Sequence, residues 1–168
     1  MTSSGRPLTH VDETGAARMV DVSGKDVTVR TATASGRVLV SPEVAALLCD
    51  GAVPKGDALG VARIAGIQAA KRTPDLVPLC HPIAIHGVEV DLWVGDDAVH
   101  ISATVRTADR TGVEMEALTC VAVAGLALVD MVKAVDRSAT ITDVLVEHKS
   151  GGRSGEWRRE APAAEPSP

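Results

Sequence analysis

Alternation of apolar and polar residues predicts three half-buried β-strands. Residues 31–40 form the first of these stretches, and residues 87–94 and 99–105 form the other two. Both later stretches place an apolar residue at every second position, with the turn residues 95–97 between them, which predicts a β-hairpin. Residues 139–147 are rich in β-branched side chains and predict a last strand.

Helical patterns separate these strands. Ser41 and Pro42 suit the N-cap and first position of a short helix that ends near residues 49–51. A longer helix is predicted over residues 57–72, closed by Pro74. Its expected apolar stripe comprises Leu59, Ala62, Ile64, Ala65 and Ile67. Residues 113–135 predict a long helix that is apolar on most sides.

The resulting element order, β-α-β-β-α-β, predicts an α+β fold. This order is typical of the ferredoxin-like sandwich, in which an antiparallel sheet forms one layer and helices cover one of its faces. The short helix after the first strand is an insertion into that pattern. A fold of this kind hosts many functions, so the function has to be read from particular residues.

Composition narrows the classes of function. The 168 residues include two Trp but no Tyr or Phe, so the core has to be aliphatic and base-stacking platforms are missing. A formal net charge of −5 disfavours non-specific binding to nucleic acid or to anionic membranes. Three widely spaced cysteines predict free thiols in a cytoplasmic protein. The longest apolar stretch is shorter than the roughly 20 residues that cross a bilayer, so no membrane partner is expected.

The length predicts one domain with appended ends. Residues 16–150 are expected to form a single ferredoxin-like domain. Residues 1–15 are rich in Ser, Thr and Gly and predict a flexible N-terminal segment. Residues 151–168 begin as a glycine-rich strip and end in a tail whose last eight residues are expected to be disordered.

Two loop segments carry polar residues that packing alone does not explain. Lys55 lies on a Pro/Gly loop directly before a helix, where backbone N–H groups favour anions, although a solvated lysine is the simpler interpretation. His81 follows Cys80 between the second helix and the hairpin. It suits a general acid or base, a metal ligand or a partly buried histidine. Zinc is disfavoured, because it needs three or four N or S ligands and only His86 lies nearby.

The predicted long helix carries charges at both ends. Glu114 and Glu116 lie two residues apart at its start, so at most one of them is expected to face a given pocket. Asp130 and Lys133 lie three residues apart near its end, where they share a face and can pair. Glu116 lies about four turns before Asp130 and therefore on roughly the same face. A solvated ion pair is one interpretation; buried or half-buried charge in an apolar helix, typical of catalytic residues, is the other.

Lys149 begins a strip of Gly, Ser and Arg residues that extends to residue 155. Backbone N–H groups of such a strip can bind phosphate, and Lys149 is therefore a candidate substrate-binding residue. The strip is equally compatible with a linker to the tail, because no strand–loop–helix context surrounds it.

Together these segments resemble the cyclic pyranopterin monophosphate synthase family of molybdenum cofactor biosynthesis. The resemblance extends over residues 8–155. Its motifs are LTH at 8–10, MVDVS at 19–23, KGD at 55–57, ARIAGIQAAKRT at 62–73, LCHP at 79–82, TGVEMEALT at 111–119 and DMVKAV at 130–135. These are long, ordered motifs, so the chance of coincidence is small.

The resemblance implies an enzyme, a phosphorus–oxygen lyase. Such an enzyme converts 3′,8-cyclo-7,8-dihydro-GTP into cyclic pyranopterin monophosphate and pyrophosphate. Carried over residue by residue, it implies Asp130 as catalytic acid or base and Lys55 and Lys133 as catalytic lysines. The implied substrate-binding residues are Leu79, Cys80, His81, Met115 and Glu116. No metal ligands and no required cofactor are implied, although Mg²⁺ can accompany the triphosphate.

The resemblance also implies a homohexamer, a trimer of dimers, with each site at a subunit interface. We therefore expect the Lys55 loop, the His81 loop and the long helix to converge only when a second chain is present. The chain departs from the family at two positions. Arg153 stands where the family often has Lys, which keeps the charge but changes the donor geometry, and His86 stands where the family often has another residue.

Two other functions remain open at this point. One is a metal-dependent hydrolase of a phosphorylated nucleotide that uses His81, His86 and a carboxylate. Tightly bound zinc at about one ion per chain would favour it. The other is a non-catalytic ferredoxin-like binding or assembly module in which the polar residues form interface salt bridges. Failure to release pyrophosphate from the nucleotide-derived substrate would favour that module.

Overall fold

A five-stranded antiparallel sheet forms one layer of the structure, a computed structural model that describes residues 11, 12 and 14–160. Its strands are β1 (Thr28–Leu39), β2 (Gly87–Val94), β3 (Ala98–Asp109), β4 (Thr140–Ser150) and β5 (Trp157–Arg158). Their order across the sheet is β2-β3-β1-β4-β5. β1 and β2 flank β3 and are joined by the helical crossover, as in a split βαβ unit. The predicted ferredoxin-like sandwich is confirmed.

Four helices form the second layer. They are α1 (Pro42–Cys49), α2 (Ala58–Ala70), α3 (Thr73–Leu76) and α4 (Glu114–Val132). α1 begins as predicted, because the Ser41 hydroxyl accepts a hydrogen bond from the Val44 N–H at 3.3 Å. α2 ends at Ala70, slightly earlier than predicted, and Pro74 does not close it. Pro74 lies instead in the first turn of α3, where the missing N–H of proline breaks no helical hydrogen bond.

α2 packs against α4 through small residues. Its buried side comprises Ala58, Ala62, Gly66, Ala69 and Ala70. A Cβ atom at position 66 would lie 2.9 Å from the carbonyl oxygen of Cys120, so only glycine permits this helix separation. The apolar stripe predicted for this helix is wrong in part: Ile64 is 59% exposed, because the contact with α4 selects the small residues instead.

α4 lies across the sheet and supplies much of the core. Nine of its residues are buried, among them Val121 and Leu128, and α4 packs against β1, β3 and β4 on one side and against α2 on the other. In the described part of the chain α4 is also the one helix long and apolar enough to cross a membrane by length and composition. A core helix passes the same test, and 56% of the apolar window is buried inside the fold.

The outward side of α4 is apolar as well. Met115, Ala122 and Leu126 recur at helical spacing on that side, and Leu126 is 60% exposed. Val61 and Ile64 of the paired helix α2 are exposed too. The described protomer therefore presents apolar side chains in the middle of its helical layer.

The glycine-rich strip after β4 follows a path that needs glycine. Gly151, Gly152 and Gly155 all have positive φ, at 95°, 70° and 64°. A Cβ atom at Gly152 would overlap the guanidinium group of Arg30. The strip leads into β5, an element that the sequence patterns do not predict. Most of the predicted flexible N-terminal segment and all of the last eight residues lie outside the described part of the chain.

Candidate active site

Asp130 binds two lysines near the C-terminal end of α4. The Lys55 ammonium donates to Asp130 Oδ2 at 3.0 Å and to its backbone oxygen at 2.8 Å. The Lys133 ammonium donates to Oδ1 of the same carboxylate at 2.6 Å. Buried Val53 and the turn from the Gly56 N–H to the Val53 carbonyl hold the Lys55 loop in place. We call the side chains of Lys55, Asp130 and Lys133 the lysine–aspartate cluster.

The geometry of the lysine–aspartate cluster bears on two expectations. Lys55 reaches Asp130 within one chain, so the contact of its loop with the long helix does not need a second chain, but the His81 loop does not join them there. Full burial of the Asp130 charge is wrong, because its side chain is 55% exposed. Exposed ion pairs contribute only about 0–1 kcal/mol to stability, so stability alone gives little reason to place two lysines on one carboxylate.

Electrostatics keep Asp130 ionised. Hydrogen bonds from Lys133 and then from Lys55 hold the pKa of this carboxyl below its usual range, and the two positive charges act in the same direction. The carboxylate is thus a weak base between two ammonium groups, each of which can donate a proton. Such an arrangement can exchange protons with a bound reactant in several successive steps.

A cavity of about 430 Å³ lies at the opposite, N-terminal end of α4. Of the residues predicted to contact substrate, it contains all except Lys149, namely Leu79, Cys80, His81, Met115 and Glu116. Val20, Val22, Lys25, Thr111, Gly112 and Glu114 complete its wall. We call it the ring cavity. Glu114 and Glu116 both line it, contrary to expectation, because it opens off the end of the helix rather than along one side.

Backbone contacts orient His81 in the ring cavity. Its Nε2 atom lies 2.6 Å from the carbonyl oxygen of Val20. A carbonyl only accepts, so Nε2 carries the hydrogen and the other ring nitrogen is left to receive a proton. The segment around Val20 therefore fixes the tautomer of the histidine.

Burial sets the ionisation of Glu116 and Cys80. Glu116 is 3% exposed, and this burial raises the pKa of its carboxyl to about 7, with a smaller contribution from the Glu114 charge. Burial, followed by the nearby Glu116 charge, raises the pKa of the Cys80 thiol. Cys80 is consequently a poor nucleophile at neutral pH, whereas Glu116 can donate a hydrogen bond or a proton.

Lys149 lies beside the ring cavity and does not line it. Its ammonium pairs with Glu114 Oε1 at 2.9 Å. Lys149 lines a second cavity of about 110 Å³, which shares four wall residues with the ring cavity: Lys25, Thr111, Gly112 and Glu114. The two cavities are therefore contiguous.

α4 separates the ring cavity from the lysine–aspartate cluster. At 1.5 Å per residue, the 14 positions from Glu116 to Asp130 correspond to about 21 Å of helix. Groups that act on one reacting centre have to lie within hydrogen-bond distance of it, about 3 Å. One chain does not bring the predicted catalytic and substrate-binding residues together.

Sequence reasoning did not single out Lys25 or Thr111 as site residues. Lys25 follows the MVDVS motif by two positions, and Thr111 begins the TGVEMEALT motif. Proximity to these motifs could therefore have indicated both residues. His86 lies elsewhere: its Nδ1 accepts a hydrogen bond from the Ala108 N–H at 3.3 Å. Within residues 11, 12 and 14–160, no group of three or more His, Cys, Asp or Glu could hold a metal ion.

Comparisons with known proteins agree with these motifs. The model of the MoaC family matches residues 19–152. A cyclic pyranopterin monophosphate synthase of Streptomyces griseus is 72% identical over 160 residues, which cover 95% of this chain and 90% of the relative. One from Nocardioides is 70% identical over 162 residues (95% of this chain, 99% of the relative). A synthase 2 of Mycobacterium tuberculosis is 59% identical over 152 residues (90% and 91%). The chain belongs to the MoaC family.

Proposed function

We propose that this chain converts 3′,8-cyclo-7,8-dihydro-GTP into cyclic pyranopterin monophosphate and pyrophosphate, a step of molybdenum cofactor biosynthesis. Relatives that match over nearly the whole chain carry the name of that synthase. The observation that carries the proposal is one ionised carboxylate held between two ammonium groups, Lys55 and Lys133. The reaction opens the purine five-membered ring, rebuilds a pyrazine ring and closes a cyclic phosphate, and these steps need several proton transfers.

The lysine–aspartate cluster suits those transfers. Asp130 receives a proton from the reactant, and an ammonium group of Lys55 or Lys133 donates one where a ring nitrogen or oxygen has to leave. A positioned acid or base contributes typically about 10²–10⁴-fold to a rate. Because the three groups share hydrogen bonds, a proton taken up by one alters the acidity of the others.

The ring cavity suits the heterocycle. Its wall is partly apolar, through Leu79 and Met115, and its polar groups are few and fixed. With a pKa of about 7, Glu116 is protonated in about half of the molecules at neutral pH and can then donate to a ring carbonyl or nitrogen. The neutral form of His81 can accept a hydrogen bond at its second ring nitrogen. Both groups can therefore bind the edge of a purine-derived ring.

A second copy of the chain completes the site. Two α4 helices packed antiparallel about a two-fold axis bring the lysine–aspartate cluster of one subunit to the ring cavity of its partner. The outward side of α4 between the two half-sites is apolar, with Leu126 60% exposed, and association would bury it. We propose a homohexamer, a trimer of such dimers, with every site at an α4–α4 interface.

We propose that the enzyme acts in the cytoplasm on a small nucleotide-derived substrate, without nucleic acid or membrane partners. The net charge of −5 and the absence of Phe and Tyr support this. It requires no cofactor, and Mg²⁺ can accompany the triphosphate of the substrate.

Replacing Lys133 separates an acid–base role from a purely electrostatic one. We expect Lys133→Ala and Lys133→Arg each to slow pyrophosphate release by about 100-fold or more. Arginine keeps the charge, but with a pKa above about 12 it does not release a proton at neutral pH. Arg158→Ala, on exposed β5, serves as the control and should turn over normally. Near-normal turnover by Lys133→Arg would contradict the acid–base role.

Replacing Leu126 tests the assembly. Leu126→Asp places a charge in the middle of the apolar side of α4, and we expect it to dissociate the dimer and abolish turnover, because a buried unpaired charge is costly. Leu76→Asp is the matched control, since Leu76 is 58% exposed but lies on α3. Sedimentation velocity measures the oligomeric state of both variants, and a pyrophosphate-release assay measures their turnover. A fully active wild-type monomer would rule out the interfacial site.

The buried carboxyl of Glu116 predicts a dependence of stability on pH. Its native pKa of about 7 exceeds its ordinary value of 4.5, so between these values the native state holds a proton that the unfolded chain has lost. Wild-type stability should therefore fall relative to Glu116→Gln as pH rises from about 4.5 to about 7. Urea unfolding at pH 5 and pH 8, with exposed Glu43→Gln as control, measures this. Equal differences at both pH values would show that the proton is not held.

A further inference from the structure

Asp136 is a buried residue that lies next to the lysine–aspartate cluster and does not belong to it. It follows Lys133 by three positions, where the chain has left α4, and it is 8% exposed. Its Oδ1 atom accepts hydrogen bonds from the Ser138 N–H at 2.8 Å and from the Ser138 hydroxyl at 2.6 Å. Its Oδ2 atom accepts one from the Ser41 N–H at 2.8 Å. Within residues 11, 12 and 14–160, no Lys, Arg or His nitrogen lies within 4.0 Å of this carboxylate.

The two oxygens of Asp136 join the end of α4 to the start of α1. The bonds from Ser138 stabilise the turn after α4, in which the Asp136 N–H donates to the Val132 carbonyl oxygen at 3.0 Å. The bond from Ser41 holds the residue that caps α1. The hydrogen bonds from Ser138, followed by that from Ser41, hold the pKa of Asp136 below its usual range. The carboxylate is therefore ionised at neutral pH, and its hydrogen bonds are of the stronger, charge-assisted kind.

α1 leads from this contact to the loop that carries Lys55. The helix ends at Cys49, and the following turn is tied back to it, because the Ala52 N–H donates to the Leu47 carbonyl oxygen at 2.8 Å. Lys55 lies three residues beyond that bond. α1 has little buried surface of its own to fix its position, since only three of its eight residues are buried, namely Val44, Ala45 and Leu48.

The segment from Ser41 to Lys55 thus meets the end of α4 at two places. At one place the Ser41 N–H binds buried Asp136, and at the other the Lys55 ammonium binds Asp130. The second contact is exposed, with 41% of the Lys55 side chain and 55% of the Asp130 side chain accessible. An exposed ion pair holds a long side chain only weakly. The buried contact is therefore the better anchor for this segment.

We propose that Asp136 is a positioning residue for the reaction, because it fixes α1 on the end of α4 and so holds the Lys55 ammonium at Asp130. This inference rests on the proposed function. Asp136 acts through Ser41 and α1 and contacts none of the reacting atoms. A displacement of about 1 Å in a catalytic group can cost about 100-fold in rate, so a small shift of α1 is enough to impair turnover.

Replacing Asp136 with Asn removes one acceptor at almost constant size. An amide that keeps both bonds from Ser138 turns its NH₂ group towards the Ser41 N–H, so the link to α1 is lost. We expect kcat for pyrophosphate release to fall by about 10–100-fold. KM should stay near its wild-type value, because the ring cavity lies at the other end of α4. Asp136→Glu keeps both acceptor oxygens and the charge, and it should lose less activity.

The pH profile of kcat distinguishes positioning from general stability. Lys55 is one of the two groups that lower the pKa of Asp130, so a displaced Lys55 raises this pKa. Asp130 accepts a proton only when it is ionised, and the low-pH limb of kcat should therefore move to higher pH in Asp136→Asn. Val99→Ala, which leaves a cavity in the core below β3, lowers stability without touching this contact and should not move the limb.

Hydrogen exchange followed by mass spectrometry tests the same link without any turnover. Peptides that cover residues 41–57 should exchange faster in Asp136→Asn than in the wild type, while peptides from β2 and β3 stay unchanged. Ser138→Ala is the matched control, because it removes one hydroxyl donor from Asp136 and leaves the Ser41 bond. It should exchange over residues 41–57 as the wild type does.

Two results would overturn the positioning role of Asp136. One is wild-type kcat and an unmoved low-pH limb in Asp136→Asn. The other is exchange that rises equally over the whole chain, as in Val99→Ala, which would make Asp136 a general stabilising residue. If the wild type released no pyrophosphate from the cyclised nucleotide, the proposed function would fail. Faster exchange confined to residues 41–57 would then still support the link from Asp136 to the Lys55 loop.

Discussion

The length of α4 is the constraint on which the functional account depends. This helix is a rigid rod, and it places the lysine–aspartate cluster about 21 Å of helix away from Glu116 in the ring cavity. No side-chain rotation closes such a distance. We therefore propose that a second subunit completes the site, and the exposed apolar side chains in the middle of α4 offer a surface for it.

Close packing of small residues keeps α4 in that position. Gly66 lets α2 approach the Cys120 backbone, and a Cβ atom at Gly36 of β1 would lie 2.6 Å from a methyl group of Val121. A Cβ atom at Gly125 would come within 3.3 Å of Ile141 in β4. Because the core has no Phe or Tyr, only small and branched side chains fill it. The backbones therefore approach each other closely to reach normal packing density.

Sequence patterns predicted the architecture well where one periodicity dominated. The hairpin of β2 and β3, the cap of α1 at Ser41 and the span of α4 all follow from local rules. The patterns wrongly predicted that Ile64 faces the core. Its exposure depends on which side of α2 packs against α4, and this is set by tertiary packing rather than by local sequence. β5 was missed because two residues carry no periodic signal.

The site was predictable to a similar degree. The motifs made Asp130, His81 and Glu116 candidates and placed Glu116 and Asp130 at opposite ends of the long helix, but they did not show that His81 lies beside Glu116 and Lys55 beside Asp130. Spacing placed Glu116 and Asp130 on a similar face, while their exposure, 3% against 55% of the Asp130 side chain, depends on what packs around each. Sequence patterns did not place Lys25 at the wall of the ring cavity, because its position there depends on the path of the chain before β1.

Mixing two inactive variants tests the composite site most directly. Asp130→Asn disables the lysine–aspartate cluster and His81→Ala disables the ring cavity, and the two chains, carrying different tags, are co-expressed and purified as mixed oligomers. If each site takes one half from each of two subunits, random assembly leaves about one site in four with both halves intact. The account predicts pyrophosphate release at about a quarter of the wild-type rate, against none for either variant alone. Mixed oligomers as inactive as the separate variants would contradict it and place the whole site within one chain.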